Sequence, residues 1–143
     1  MIRLLALALL LLGLPASSPL AFFADLKLRL LESSAGPYDP AEQTRRLSAI
    51  SSAPGVQLVT FQTCPFCVKA RSYLDERAVP YTDLVIDSKD PLRIEMLKAL
   101  GRSSVPAIWL GGSFVGGMND GPEGSPKGLK AVPDERLQEF AAQ

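Results

Sequence analysis

From residue 39 onward, short apolar runs trade places with stretches of helical spacing. Asp39 can cap a helix with Pro40 in its first turn and Glu42 three residues after the cap. Leu47 and Ile50 continue that face until Ser51-Ser52 and Pro54-Gly55 stop it. Residues 56–61 read as a buried strand, and 68–78 as a helix with Val68, Ser72, Tyr73 and Leu74 at helical spacing, ended by Val79-Pro80. Residues 81–87 form a second strand. Asp90-Pro91 opens another helix, with Leu92, Met96, Leu97 and Leu100 inward and Gly101 as its stop. Residues 105–110 are a third strand, Gly111-Gly112 a two-residue hairpin turn, and 113–115 a fourth strand. Gly121 to Pro126 is too rich in glycine and proline to be helical, so only 133–142 reads as a last helix. The order βαβ followed by αββ predicts an α/β fold, a small mixed four-stranded sheet flanked by helices.

The first 24 residues follow another pattern. They hold 18 apolar residues and one charge, Arg3, and residues 4–24 carry no charge at all. That is the anatomy of an export signal, and the run is also long enough to span a bilayer if it is kept. Residues 1–24 are therefore expected to be a signal peptide or membrane anchor, 25–38 a juxtamembrane linker, and 39–143 the folded domain. The expected location is membrane-anchored or exported, on the periplasmic side of a bacterial envelope. Arg3 precedes the span while Lys27 and Arg29 follow it, so charge does not fix the facing side.

Composition narrows the chemistry. With 15 Lys+Arg against 15 Asp+Glu, the chain has no net field to attract nucleic acid. It contains no His, which excludes serine–histidine and cysteine–histidine nucleophile pairs and histidine metal sites. Its two Cys cannot build a disulfide scaffold or a four-ligand zinc site, and no metal is expected.

Both cysteines lie in Cys64-Pro65-Phe66-Cys67, where the first strand hands over to the first helix after it. At such a position unpaired N–H groups and the helix dipole favour a thiolate, the nucleophile of disulfide exchange, and Lys69 adds positive charge. Cys67 sits about one helical turn on and can attack a mixed disulfide formed at Cys64. A zinc half-site, an inert structural disulfide and two buried thiols are the competing readings. Farther on, Ser104-Val105-Pro106 opens the third strand; a proline there gives nothing to the ladder, and a cis bond would leave the Val105 backbone free to pair with an extended peptide. Gly116-Gly117 permits close backbone approach, and Asn119-Asp120 could cap a helix or hold an ammonium group.

These segments, in this order and spacing, resemble glutaredoxin over about residues 55–120. The resemblance implies a thioredoxin-like fold and a glutathione-dependent thiol–disulfide oxidoreductase in which Cys64 is the nucleophile and Cys67 resolves. Glutathione would be the co-substrate, and glutathionylated or disulfide-containing proteins the partners. The glutathione backbone would pair with Val105 beside cis-Pro106, its γ-glutamyl end would meet Asn119 and Asp120, and Phe66 and Met118 would line the groove. Two features depart from the family pattern. Phe61 stands where members often carry the Lys or Arg that meets the glycyl carboxylate, with Gln62 the nearest polar substitute, and Gly121 to Pro126 interrupts the helix that usually starts at the aspartate matching Asp120. A thioredoxin-like reductase served by another protein, and a non-catalytic iron–sulfur carrier using Cys64 and glutathione, are the alternative functions.

Overall fold

The structure, a computed structural model, describes residues 18–122 and 126–142. The chain divides into two compact units, Met1–Leu30 and Leu31–Gln143. Helix α1 (Pro19–Ser34) begins in the first. Residues 25–34, expected as part of a linker, are helical instead; Leu26, Leu30 and Leu31 and the Arg29–Asp25 ion pair at 2.8 Å supply helix-forming side chains and an i,i+4 contact that proline-free sequence can use. Leu20, Phe22, Phe23, Leu26 and Leu30 are exposed on this helix. Among the described residues no helix is long and apolar enough to cross a membrane, and most of the expected signal or anchor lies outside them.

In the second unit α2 (Pro40–Ser52) starts as the sequence predicts. Asp39 takes an extended conformation and its Oδ1 accepts from the N–H groups of Ala41 at 2.9 Å and Glu42 at 3.4 Å, two donors that the first turn leaves unpaired. There follow β1 (Val56–Thr60), α3 (Pro65–Glu76), β2 (Tyr81–Val85), α4 (Leu92–Leu100), β3 (Ala107–Leu110), β4 (Ser113–Gly116), a 3-10 turn (Leu129–Ala131) and α5 (Asp134–Ala141). The sheet order is β2-β1-β3-β4, with β1 parallel to β2 and antiparallel to β3, and β3 antiparallel to β4. Gly111 and Gly112 both have positive φ, 54° and 87°, which suits the tight hairpin between β3 and β4.

Alternation along β1 and β3 sends side chains to two apolar layers. Val56, Leu58, Ile108 and Leu110 pack with Ala70 and Leu74 of α3 and Leu137 and Phe140 of α5. Val59, Ala107 and Trp109 pack with Leu47 of α2 and Leu92 and Met96 of α4. Trp109 is 1% exposed and its ring lies 5.0 Å from that of Phe114. Ile94, which the sequence pattern left off the inward face of α4, is buried as well.

Polar clasps tie α2 and the segment before it to α4. Arg46 grips both oxygens of Asp90 at 2.8 and 3.1 Å, and Asp90 caps α4 by accepting from the Leu92 N–H at 2.8 Å. Glu95 accepts from the hydroxyls of Tyr38 and Thr44. Burial pushes the Asp90 carboxyl up, but Arg46 and the Leu92 N–H outweigh it and hold Asp90 below the usual carboxylate range.

Candidate functional site

The strand-to-helix hand-over differs from expectation in one respect: α3 begins at Pro65, not at Val68. Proline costs nothing at a first-turn position, because the N–H it lacks would be unpaired there anyway. Cys64 thereby becomes the residue that caps the helix, and its Sγ accepts the N–H of Cys67 at 3.3 Å. Negative charge on this sulfur would be met by that N–H and by the positive end of the helix. Cys64 is half-buried and free, with its Sγ 3.8 Å from the Val105 carbonyl oxygen. Lys69 places its Nζ 5.2 Å from the centroid of the Phe66 ring.

Cys67, the third residue of α3, is fully buried. Burial first, then the hydrogen bond and charge of Cys64, push its thiol up to about 12, against the opposing pull of the Phe61 backbone and the Arg71 charge. One sulfur is therefore accessible at a helix end and the other is a protonated thiol held in reserve.

The Val105-Pro106 peptide is cis, and β3 pairs with β1 only from Ala107 onward. Val105 and Pro106, with Phe66, Asn119 and Asp120, line a groove of about 290 Å³ that reaches from the start of α3 to the loop after β4. Five of the six residues that the sequence assigned to ligand binding are thus brought together. Met118 is not among them. It is 7% exposed and packs in the apolar core.

Two arginines that the sequence reading passed over complete the surroundings. Arg102 lines the groove; its Nη2 donates to Ser104 Oγ at 2.9 Å and pairs with Asp120 Oδ2 at 3.2 Å, leaving the Asp120 side chain 71% exposed. Arg93 of α4 places its guanidinium 5.3 Å from the centroid of the Phe61 ring and is fixed by the carbonyls of Ser103 at 3.1 Å and Ser88 at 2.6 Å. A cation therefore stands next to Phe61, where the side chain itself supplies none.

The loop from Gly116 to Asp120 is held by a later segment. Gly128, with φ 86°, donates to the Val115 carbonyl, and Leu129 and Lys130 donate to those of Gly117 and Met118. A Cβ at Gly128 would lie 2.6 Å from the Asp120 nitrogen and 2.8 Å from that of Asn119, so only glycine fits.

The glutaredoxin family profile matches residues 56–115. A glutaredoxin of Pseudomonas aeruginosa is 36% identical over 67 residues, which cover 47% of this chain and 80% of that protein. The chain belongs to the glutaredoxin family. Glutaredoxin 3 of Escherichia coli K12 is similarly close, 37% identical over 65 residues, 46% of this chain and 78% of that one. Among solved structures, a buckwheat glutaredoxin in complex with glutathione superposes with a TM-score of 0.57 at 15% identity, covering 74% of this chain and 94% of that one. A dithiolic glutaredoxin of Trypanosoma brucei brucei gives 0.52 at 27% identity, covering 66% and 94%. The glutaredoxin unit therefore has a thioredoxin-like α/β fold, and its family and fold are those of thiol–disulfide oxidoreductases.

Proposed function

We propose that the chain is a glutathione-dependent oxidoreductase that reduces mixed and protein disulfides through Cys64 and Cys67. The observation that carries this reading is the Cys64 sulfur at the start of α3, bonded to the Cys67 N–H and 3.8 Å from the carbonyl of Val105, a residue that lines the groove. The Cys64 thiolate attacks the glutathione sulfur of a glutathionylated protein, the mixed S–S bond breaks, and the protein thiolate leaves and takes up a proton. A second glutathione thiolate then attacks the sulfur of the glutathione held on Cys64, giving glutathione disulfide and restoring Cys64. With a protein disulfide, Cys67 instead attacks Cys64, and the intramolecular disulfide is later reduced by glutathione.

Glutathione would lie along the groove with its backbone against Val105. Its γ-glutamyl ammonium would face the exposed Asp120 carboxylate and Asn119, Phe66 would cover its apolar side, and its glycyl carboxylate would reach Arg93, which answers for the cation missing at Phe61. A thioredoxin-like reductase served by a protein donor is the reading that the apolar residue at 61 favours. Two assays separate them: turnover of a glutathione mixed disulfide by reduced glutathione, and insulin reduction with a thioredoxin reductase. Activity in the first supports this proposal; activity in the second alone overturns it. An iron–sulfur carrier would instead show visible absorbance when purified without oxygen.

We also propose that residues 1–24 tether or export this domain. The charge-free run from 4 to 24 and the exposed apolar side chains of α1 support it.

A further inference from the structure

One turn after Cys67, on the same face of α3, stands Arg71. Its Nε donates to Asp83 Oδ2 at 2.6 Å, and its Nη2 donates to Thr60 Oγ1 at 2.6 Å and to the Phe61 carbonyl at 3.4 Å. Thr60 is fully buried and donates its hydroxyl to Asp83 Oδ1 at 2.6 Å, so three side chains from α3, β1 and β2 close a ring of hydrogen bonds. The Phe61 carbonyl takes Arg71, and the Phe61 backbone is one of the groups that pull the Cys67 thiol down. Arg71 and the Phe61 backbone are the two groups that favour charge on Cys67, and the ring fixes both.

We propose that Arg71 is a positioning residue for the resolving thiol: locked by Asp83 and Thr60, it sets the Phe61 peptide and its own positive charge against Cys67 for the attack on Cys64. The inference rests on the exchange reading above. In that step Cys67 loses its proton and its sulfur attacks Sγ of Cys64 in the mixed disulfide. The Cys64–Cys67 bond forms, the bond from Cys64 to the substrate sulfur breaks, and the released thiolate picks up a proton. Cys67 is oxidised and the substrate sulfur is reduced. The charged and titratable groups around the pair are Cys64 and Arg71 facing Cys67, and Asp83 and Tyr81 facing Arg71, with Asp75 beyond Tyr81. Burial and then the Asp75 charge raise the Tyr81 hydroxyl above its ordinary range.

Stopped-flow reaction of the reduced full chain with excess dithionitrobenzoate, a disulfide that releases a coloured thiolate at each exchange, reads both sulfurs at once. A first phase, proportional to reagent concentration, reports attack by Cys64. A second, independent of concentration and missing in Cys67→Ser, reports attack by Cys67. Arg71→Gln is expected to slow the second phase about threefold, the net of a roughly tenfold smaller thiolate fraction and a more nucleophilic thiolate, and to move its pH–rate curve to higher pH. Arg71→Lys restores most of the rate, because it keeps the charge, and Asp83→Asn, which loosens the anchor, falls between them. An unchanged second phase in Arg71→Gln, both phases slowed by the same factor, or Arg71→Lys as slow as Arg71→Gln would each overturn the inference. A parent chain with no first phase would instead overturn the exchange reading on which it rests.

Discussion

Cys64 is half-buried at a helix end and Cys67 is sealed within the first turn, so removing each should cost different reactions. Cys64→Ser is expected to abolish every thiol transfer. Cys67→Ser should keep reduction of a glutathionylated peptide by glutathione and lose reduction of protein disulfides that need the resolving thiol. Equal failure of both variants on the glutathionylated peptide would contradict the glutathione mechanism. Arg93 makes a second residue-scale prediction. Arg93→Gln should weaken glutathione binding by about 1.5–3 kcal/mol, the worth of a charge-assisted hydrogen bond, and leave a decarboxylated analogue almost unaffected; calorimetry with both ligands measures it. An equal loss with both would mean that Arg93 only braces Ser88 and Ser103. The placing of the cysteines between a strand and a helix, and of Pro106 just before β3, was legible in the sequence because it depends on local rules, a strand end and a helix start. The grouping of Val105, Asn119 and Asp120 came instead from the resemblance to glutaredoxin. Arg93 and Arg102 were not legible, because what an arginine meets is decided by residues far along the chain: Phe61 for Arg93 and Asp120 for Arg102. Met118, assigned to the groove by the resemblance, packs in the core, a position its place in a loop sequence does not reveal.

Among the elements, the clasp between α2 and α4 joins a helix outside the sheet to the one that carries Arg93. The Asp90 carboxyl is held down by Arg46 and by the N–H it caps, so its ionised form contributes stability above the ordinary carboxylate range, and that contribution fades as the pH falls through its lowered value. Asp90→Ala should cost about 1–2 kcal/mol near neutral pH, a cap and a paired charge together. The gap between variant and parent should narrow on acidification, as urea melts at several pH values would record. A gap that does not change with pH would assign the loss to packing alone. Periodicity and caps gave the order and type of β1 to β4 and of α2, α4 and α5, and erred at edges. The first helix after β1 was read from Val68 because Cys-Pro-Phe-Cys has no amphipathic period, although Pro65 is well suited to a first turn. Residues 25–34 mix charges with leucines and run into Ser-Ser-Ala-Gly-Pro, which hides the helix α1 that they form and that buries none of its residues.

For the molecule as a whole, the proposed tether predicts where the protein is found. The full chain should sediment with membranes or appear in the exported fraction, and a version lacking residues 1–24 should stay with the soluble proteins of the compartment in which it is made. Fractionation of cells expressing each form tests this, and identical distributions would rule the tether out. The domain itself carries a means of following its folding. The chain has one tryptophan, Trp109, enclosed between β1 and the α2–α4 layer, on the strand that starts just after Pro106. All indole emission therefore comes from a single position within the core. In the folded domain it should be blue-shifted and poorly quenched by acrylamide; on unfolding it should move to the red in one step. The effects of Asp90→Ala and its relatives can then be read optically, without a label, and from the layer that the Arg46–Asp90 clasp helps to hold shut.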